Sequence, residues 1–278
     1  MKIIFLDADG TLFHPMGYIP TSSLKAIALA QKKGHKICLC TGRQRAEIYG
    51  DLAKVDYDGM VVGAGAYVEA KGKVLCDLAF TKEQRNELVD YFYGQGIPAL
   101  FECSKMVLAN QEAFDKINQL IDIQCKDLTQ EQKEGHGLVR VLHSLTFETE
   151  ENIRKAPVNK ISFLESHISY QDTYNTFNKD YDIIPATFAP FGQESGEIAN
   201  KSVSKGNGMN VLIDYYKIKE EDIIAIGDGY NDLSMFDRAH TSIAMGNAPL
   251  DIQNYCDLVT SSIDEDGIYK AFQQLEII

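Results

Sequence analysis

The chain has 278 residues, with 27 Lys and Arg against 40 Asp and Glu, so its net charge is −13. That balance speaks against a nucleic-acid binder, which carries a basic face and a high pI. A chain this long can bury roughly 75% of its unfolded surface, so no disulfide or metal staple is required, and it has room for one large domain or two ordinary ones.

The opening apolar run, Ile3 to Leu6, stops at Asp7. A secretory segment needs roughly 7–15 apolar residues, so this run is expected as a strand buried on both faces. No stretch approaches the roughly 18 apolar residues of a membrane helix. The six cysteines (Cys38, Cys40, Cys76, Cys103, Cys125 and Cys256) are scattered without a CxxC pair. They are expected as reduced core thiols of a cytoplasmic protein.

From the first strand onward, short apolar runs alternate with helical patterns. Thr21 is expected to cap a helix that Gly34 ends. Ile37 to Cys40 reads as the next strand, followed by a helix from about Arg43 through Lys54, and Met60 to Val62 as a third strand. Between about 81 and 189 the pattern changes. Helices are expected near Lys82–Gly94 and Glu112–Gln124, and strands over Ala99–Ser104 and Lys160–Glu165. Those strands alternate apolar and polar residues, as in an antiparallel sheet with one wet face. Asp127 to Gly137 is expected as a solvated loop or frayed helix. The first rhythm then returns: a helix capped by Ser204, a buried strand over Ile223–Ile226, two more strands over Ser242–Met245 and Asp257–Thr260, and a last helix from about Asp264. The fold class expected is α/β: a doubly wound, mainly parallel sheet over 1–80 and 190–278, with an inserted α+β cap over 81–189. The insert's aromatics (Tyr91, Phe92, Tyr93, Phe101, Phe114) are expected as core.

Three apolar strands end in polar clusters: Asp7-Ala8-Asp9-Gly10-Thr11, Thr41-Gly42-Arg43, and Gly227-Asp228-Gly229-Tyr230-Asn231-Asp232. In an open parallel sheet, sites form at the carboxyl ends of strands, so these clusters are expected to converge. Ser204-Lys205-Gly206 starts a helix, where free amides favour phosphate. Carboxylates gathered this closely repel one another unless a hard cation joins them. Mg²⁺ suits one or two carboxylates, several waters and a substrate phosphate. No His or Cys lies in these clusters, which argues against zinc. Lys205 and the Thr41 hydroxyl can hold phosphate oxygens. Gly10, Gly42 and Gly206 are expected to admit close backbone approach.

Asp7-x-Asp9-Gly10-Thr11, Thr41-Gly42-Arg43, Ser204-Lys205-Gly206 and Gly227-Asp228-Gly229-x-Asn231-Asp232 resemble, in order, the four motifs of the haloacid dehalogenase-like superfamily. Glu197-Ile198, the stretch Ala244-Met245-Gly246-Asn247-Ala248, and the position of the insert resemble its Cof-type branch. One departure is Ala199-Asn200-Lys201, where a Pro-Lys pair is more usual. The resemblance implies a Mg²⁺-dependent phosphatase of a small phosphorylated metabolite, a sugar phosphate or phosphorylated cofactor, with the insert as lid. It implies Asp7 as nucleophile forming an aspartyl-phosphate and Asp9 as general acid and base. It implies Mg²⁺ held by Asp7, the Asp9 carbonyl, Asp228 and, directly or through water, Asp232. Phosphate would be held by the Ala8 amide, Thr41, Gly42, Lys205 and Asn231.

Some positions keep two readings. Arg43 either reaches substrate or starts its helix. Asn231 either binds phosphate or caps a helix. His14 either touches substrate at the site entrance or sits on an exposed loop. A phosphomutase on sugar phosphates is the alternative activity. A non-enzymatic phospho-receiver is disfavoured, because such modules have roughly half this length and place the phosphate acceptor on the third strand. No partner other than a small phosphorylated molecule is expected, neither nucleic acid nor membrane, and nothing in the sequence speaks to oligomeric state.

Overall fold

The computed structural model describes residues 1–186 and 188–278. The chain divides into two compact units, Met1–Asp77 with Ser202–Ile278, and Leu78–Lys201. The first begins with β1 (Ile3–Leu6), α1 (Thr21–Lys32), β2 (Lys36–Cys40), α2 (Asp51–Lys54) and β3 (Gly59–Val62), then a hairpin of β4 (Tyr67–Ala70) and β5 (Lys73–Asp77). The inserted unit follows with α3 (Lys82–Gly94), β6 (Ala99–Cys103), β7 (Met106–Ala109), α4 (Gln111–Gln124), α5 (Gln130–Gly135), α6 (Gly137–Ser144), β8 (Leu145–Phe147), α7 (Glu150–Ile153), β9 (Val158–Phe163), α8 (Tyr170–Phe177), β10 (Tyr181–Pro185) and β11 (Gly196–Asn200). The chain returns through α9 (Lys205–Tyr216), β12 (Ile223–Gly227), α10 (Leu233–Arg238), β13 (Thr241–Ala244), α11 (Leu250–Tyr255), β14 (Leu258–Val259) and α12 (Gly267–Gln274).

The first unit carries an eight-stranded sheet in the order β14-β13-β12-β1-β2-β3-β4-β5. It is parallel from β14 to β3, and β4 and β5 join antiparallel. Both faces are covered. Ile3, Phe5, Cys38 and Cys40 pack with Met209 and Leu212 of α9 on one side. Ile4, Leu6, Ile37 and Leu39 pack with Ala26 and Ile27 of α1 and Phe272 of α12 on the other. Covered faces leave the strand ends as the place for chemistry. β1 pairs with both β2 and β12, so the chain leaves β1 toward one edge and β12 toward the other. That reversal opens a crevice at their carboxyl ends.

Several local expectations are corrected. Thr21 is the first helical residue of α1, and Pro20 takes the cap position. The helix expected from Arg43 through Lys54 is broken into a 3₁₀ turn, Arg45–Glu47, and the short α2. The Glu47 carboxylate folds back to accept from the Gln44 amide at 2.7 Å, which closes that turn, and Ile48 is extended. Of the loop or helix expected over Asp127 to Gly137, the helix is met by α5, capped by the Thr129 hydroxyl.

The inserted unit has a six-stranded sheet, β10-β11-β9-β6-β7-β8, antiparallel except between β7 and β8. It runs to Lys201, past the join expected near 190, because β11 pairs with β10 and β9. Phe92, Phe101 and Phe163 form its core. The expected wet face is absent from β6 and β9, whose residues are all buried. Their polar members satisfy one another instead. Lys160 Nζ lies 3.1 Å from Glu102 Oε2 and 3.0 Å from Glu197 Oε2, and the Ser162 hydroxyl donates to Glu102 Oε1.

After β3 the chain makes a tight turn through Gly65 at φ +108°. A Cβ there would stand 2.1 Å from the Ser204 carbonyl oxygen, at the start of α9. The site helix is thus seated against a position open only to glycine. Gly65→Ala is expected to lower stability beyond the about 1–3 kcal/mol of backbone strain alone. Urea denaturation checks this; a loss below about 0.5 kcal/mol, the range of an ordinary surface change, contradicts the packing.

Candidate active site

Asp7 leaves the end of β1 with its amide donating to the Ile226 carbonyl at 2.9 Å. The next residues coil tightly: the Ala8 carbonyl accepts from the Leu12 and Phe13 amides at 2.9 and 2.7 Å. Gly10 takes φ +82° in this turn, and a Cβ on it would stand 2.2 Å from Asp228 Oδ2. Only glycine lets the first loop lie against the carboxylate from the end of β12. Thr11 completes the contact, its hydroxyl donating to Asp228 Oδ1 at 2.9 Å.

Lys205, the first residue of α9, is 1% exposed. Its ammonium donates to Asp7 Oδ1 at 2.6 Å and to Asp232 Oδ1 at 2.5 Å. The other oxygen of Asp232 accepts from the Asp228 and Gly229 amides, both at 3.0 Å. Carboxylate oxygens of Asp7, Asp228 and Asp232 all lie within 4.8 Å of one another. Thr41, buried at the end of β2, accepts the Arg43 amide on its hydroxyl at 3.1 Å.

The electrostatics of this cluster show a deficit of positive charge. Burial, and then the charge of Asp232, push the Asp7 carboxyl well above the usual range despite Lys205. Burial raises Asp228 to about 6, against the Thr11 hydrogen bond and with a contribution from Asp232. Burial alone would lower Lys205; Asp232 and Asp7 outweigh it and raise it. One ammonium faces three carboxylates, so a cation that enters the cluster is drawn by charge, and an all-oxygen donor set suits a hard divalent ion.

Other predicted residues stand outside this hydrogen-bonded cluster. The Asp9 side chain is exposed and stands outside the three-carboxylate cluster. Arg43 grips it with two bonds, Nε to Oδ2 at 2.8 Å and Nη2 to Oδ1 at 2.7 Å. The guanidinium lies over the Phe13 and Tyr49 rings, 5.1 and 5.6 Å from their centroids. Of the two expected readings of Arg43, the start of a long helix is not met, since the 3₁₀ turn begins at Arg45. His14 is a brace. Its Nδ1 accepts from the Met16 amide at 3.0 Å, so Nε2 carries the proton and donates to Asp264 at 2.9 Å. Asn231 is exposed on the 3₁₀ turn Tyr230–Asp232. Nothing within 4 Å meets a Cβ built on Gly42, so no packing contact requires glycine there. Sequence reasoning assigned no role to Asn247, whose amide donates to the Gly10 carbonyl at 3.0 Å and to Asp228 Oδ2 at 3.3 Å. Its signal was present in the stretch Ala244 to Ala248.

The family model of haloacid dehalogenase-like hydrolases matches residues 4–272. The chain belongs to that family, in its Cof-type branch. It is 27% identical to the 5-amino-6-(5-phospho-D-ribitylamino)uracil phosphatase YwtE of Bacillus subtilis, over 99% of this chain and 98% of that one. It is 26% identical to the HAD subclass IIB sugar phosphatase BT4131, with a TM-score of 0.78 and full coverage of both chains. A protein from Geobacillus kaustophilus at 22% identity shares the fold, with a TM-score of 0.82 over 100% of this chain and 99% of that one. The chain is a phosphoric monoester hydrolase. Among the described residues, no helix is long and apolar enough to cross a membrane.

Two outcomes follow from the charge cluster. Lys205→Met leaves two buried carboxylates unpaired and is expected to cost about 3–5 kcal/mol, read by chemical denaturation in EDTA; wild-type stability contradicts the pairing. Burial raises folded Asp228 from the ordinary carboxylate range to about 6, so across that window the native protein binds more protons than the unfolded chain. Its contribution is therefore stabilising below that window and is lost as pH rises through 6. In metal-free melts, Asp228→Asn is expected to gain on wild type between pH 4.5 and 7.5. An unchanged difference across that range contradicts it.

Proposed function

We propose that the chain is a Mg²⁺-dependent phosphatase of a small phosphorylated metabolite, a sugar phosphate or a phosphorylated cofactor, working through an aspartyl-phosphate in the cytoplasm. The observation that carries this is the Lys205 ammonium held between Asp7 and Asp232 with Asp228 beside them. The named relatives support the substrate class: one acts on a phosphorylated ribityl compound and the other is a sugar phosphatase.

Asp7 is the nucleophile. One carboxylate oxygen bonds to phosphorus as the ester P–O bond breaks. Asp9 gives a proton to the departing alkoxide. Asp9 then takes a proton from water as that water attacks the phosphorus of the acyl phosphate, which releases inorganic phosphate and restores Asp7. At rest the Arg43 fork occupies both Asp9 oxygens, and one of them leaves it before Asp9 carries the proton that it gives. Lys205, the Thr41 hydroxyl, the Ala8 and Gly42 amides and Asn231 hold the phosphoryl oxygens, and the open space beside Gly42 admits one of them. Asp7, Asp228, the Asp9 carbonyl and, directly or through water, Asp232 would hold Mg²⁺, which would supply positive charge to offset the phosphate dianion. The inserted unit serves as the lid that selects the leaving group.

Hydrolysis of p-nitrophenyl phosphate and of a panel of phosphorylated sugars and cofactors tests the reading. Turnover is expected to release phosphate, to vanish in EDTA and to return with Mg²⁺. Asp7→Asn is expected to lower it by about 10³-fold or more with the fold intact. Turnover that survives in Asp7→Asn, or an isomerised ester without free phosphate, overturns the proposal.

A further inference from the structure

Asp228 has one carboxylate oxygen tied by the buried Thr11. The other is reached from a different direction. The turn after β13 brings Asn247 over the first loop, where its amide nitrogen donates to the Gly10 carbonyl at 3.0 Å and to Asp228 Oδ2 at 3.3 Å. The orientation of this carboxamide is set by its other end: Asn247 Oδ1 accepts the Ile263 amide at 3.0 Å. An amide that accepts there must present its NH₂ group to Gly10 and Asp228.

The turn is itself braced. The Gln253 side chain donates to the carbonyls of Gly246 and Ala248, at 3.2 and 2.8 Å. The Gly246 amide donates to Ser261 at 3.1 Å. A Cβ at Gly246 would stand 2.7 Å from the Ser262 amide nitrogen. Glycine at 246 thus allows the chain before α12 to approach, and that approach delivers the Ile263 amide to Asn247. One exposed side chain ties together the loop after β1, the loop after β12 and the chain before α12.

Exposure makes a purely structural purpose a poor account. A hydrogen bond that competes with water adds little to stability, and Asn247 is exposed. What the bonds do instead is fix the two atoms beside the charge cluster that most need orientation, Asp228 Oδ2 and the Gly10 peptide. We propose that Asn247 is a positioning residue for the metal-binding carboxylate of Asp228, with Thr11 and Asn247 clamping its two oxygens from opposite sequence directions. The inference rests on the reading that Asp228 holds Mg²⁺. A carboxylate pinned in one rotamer binds a cation without first losing that rotational freedom, and partners of this kind change metal affinity by about 10–100-fold when removed.

The test is direct Mg²⁺ titration of metal-free enzyme by calorimetry, wild type beside Asn247→Ala, with Mn²⁺ binding followed by EPR and thermal melts in EDTA. Asn247→Ala is expected to raise the Mg²⁺ dissociation constant about tenfold while the metal-free melting temperature stays within a degree or two of wild type. Turnover at saturating Mg²⁺ should recover most of the wild-type rate, since the site is weakened and not dismantled. Asn247→Leu, which keeps the size and loses every hydrogen bond, should behave as the alanine variant does. Wild-type Mg²⁺ affinity in both variants overturns the role of Asn247 alone. A large drop in melting temperature with unchanged affinity makes it a structural tie and also overturns it. A wild-type protein that binds no Mg²⁺ overturns both this inference and the proposed function.

Discussion

A lysine ammonium with almost no access to water, bonded to two carboxylates, is the constraint on which this site depends. Burying such a group is costly unless it is paired, and burying two carboxylates with only one ammonium, beside a third acid, remains costly. The fold accepts that arrangement at the ends of β1 and β12 and at the first residue of α9. Burial above all, with the charge of Asp232 added, raises the titration of Asp7 and Asp228. A cluster in this condition draws a cation, and the role proposed for Asp7 needs the same offset of negative charge before it meets a phosphate dianion.

The sheet explains why such distant residues meet. Asp7 and Lys205 are 198 positions apart, and Thr11 and Asp228 are 217 apart. Parallel pairing of β12, β1 and β2 puts their carboxyl ends side by side, and apolar packing on both faces holds that register. Gly10 and Gly65 then set the last ångströms, each at a position where a side chain would collide with an acid or with the start of α9.

Much of this was legible because the acids, the hydroxyl and the lysine fall at the ends of apolar runs, in an order that topology turns into proximity. The helix beginning at Lys205 was readable from Ser204 as its cap, whose hydroxyl accepts from Asn207. What could not be read were contacts between loops. Nothing local announces that Arg43 will grip Asp9, that His14 will brace Asp264, or that Asn247 will reach Gly10. The burial of two strands was also misread. In β6 and β9 alternation is present, but Lys160 pairs with both Glu102 and Glu197, so a pattern that usually signals solvent signals a buried polar layer instead.

The central claim is that Asp7, once offset by Lys205 and a cation, takes the phosphoryl group onto its own carboxylate. Rapid acid quench during turnover of a ³²P-labelled substrate, followed by peptide mapping, addresses it most directly. The account predicts transient label on the peptide that contains Asp7, lost again on chasing with unlabelled substrate. Protein that stays unlabelled throughout productive turnover, or label on a different side chain, would contradict it.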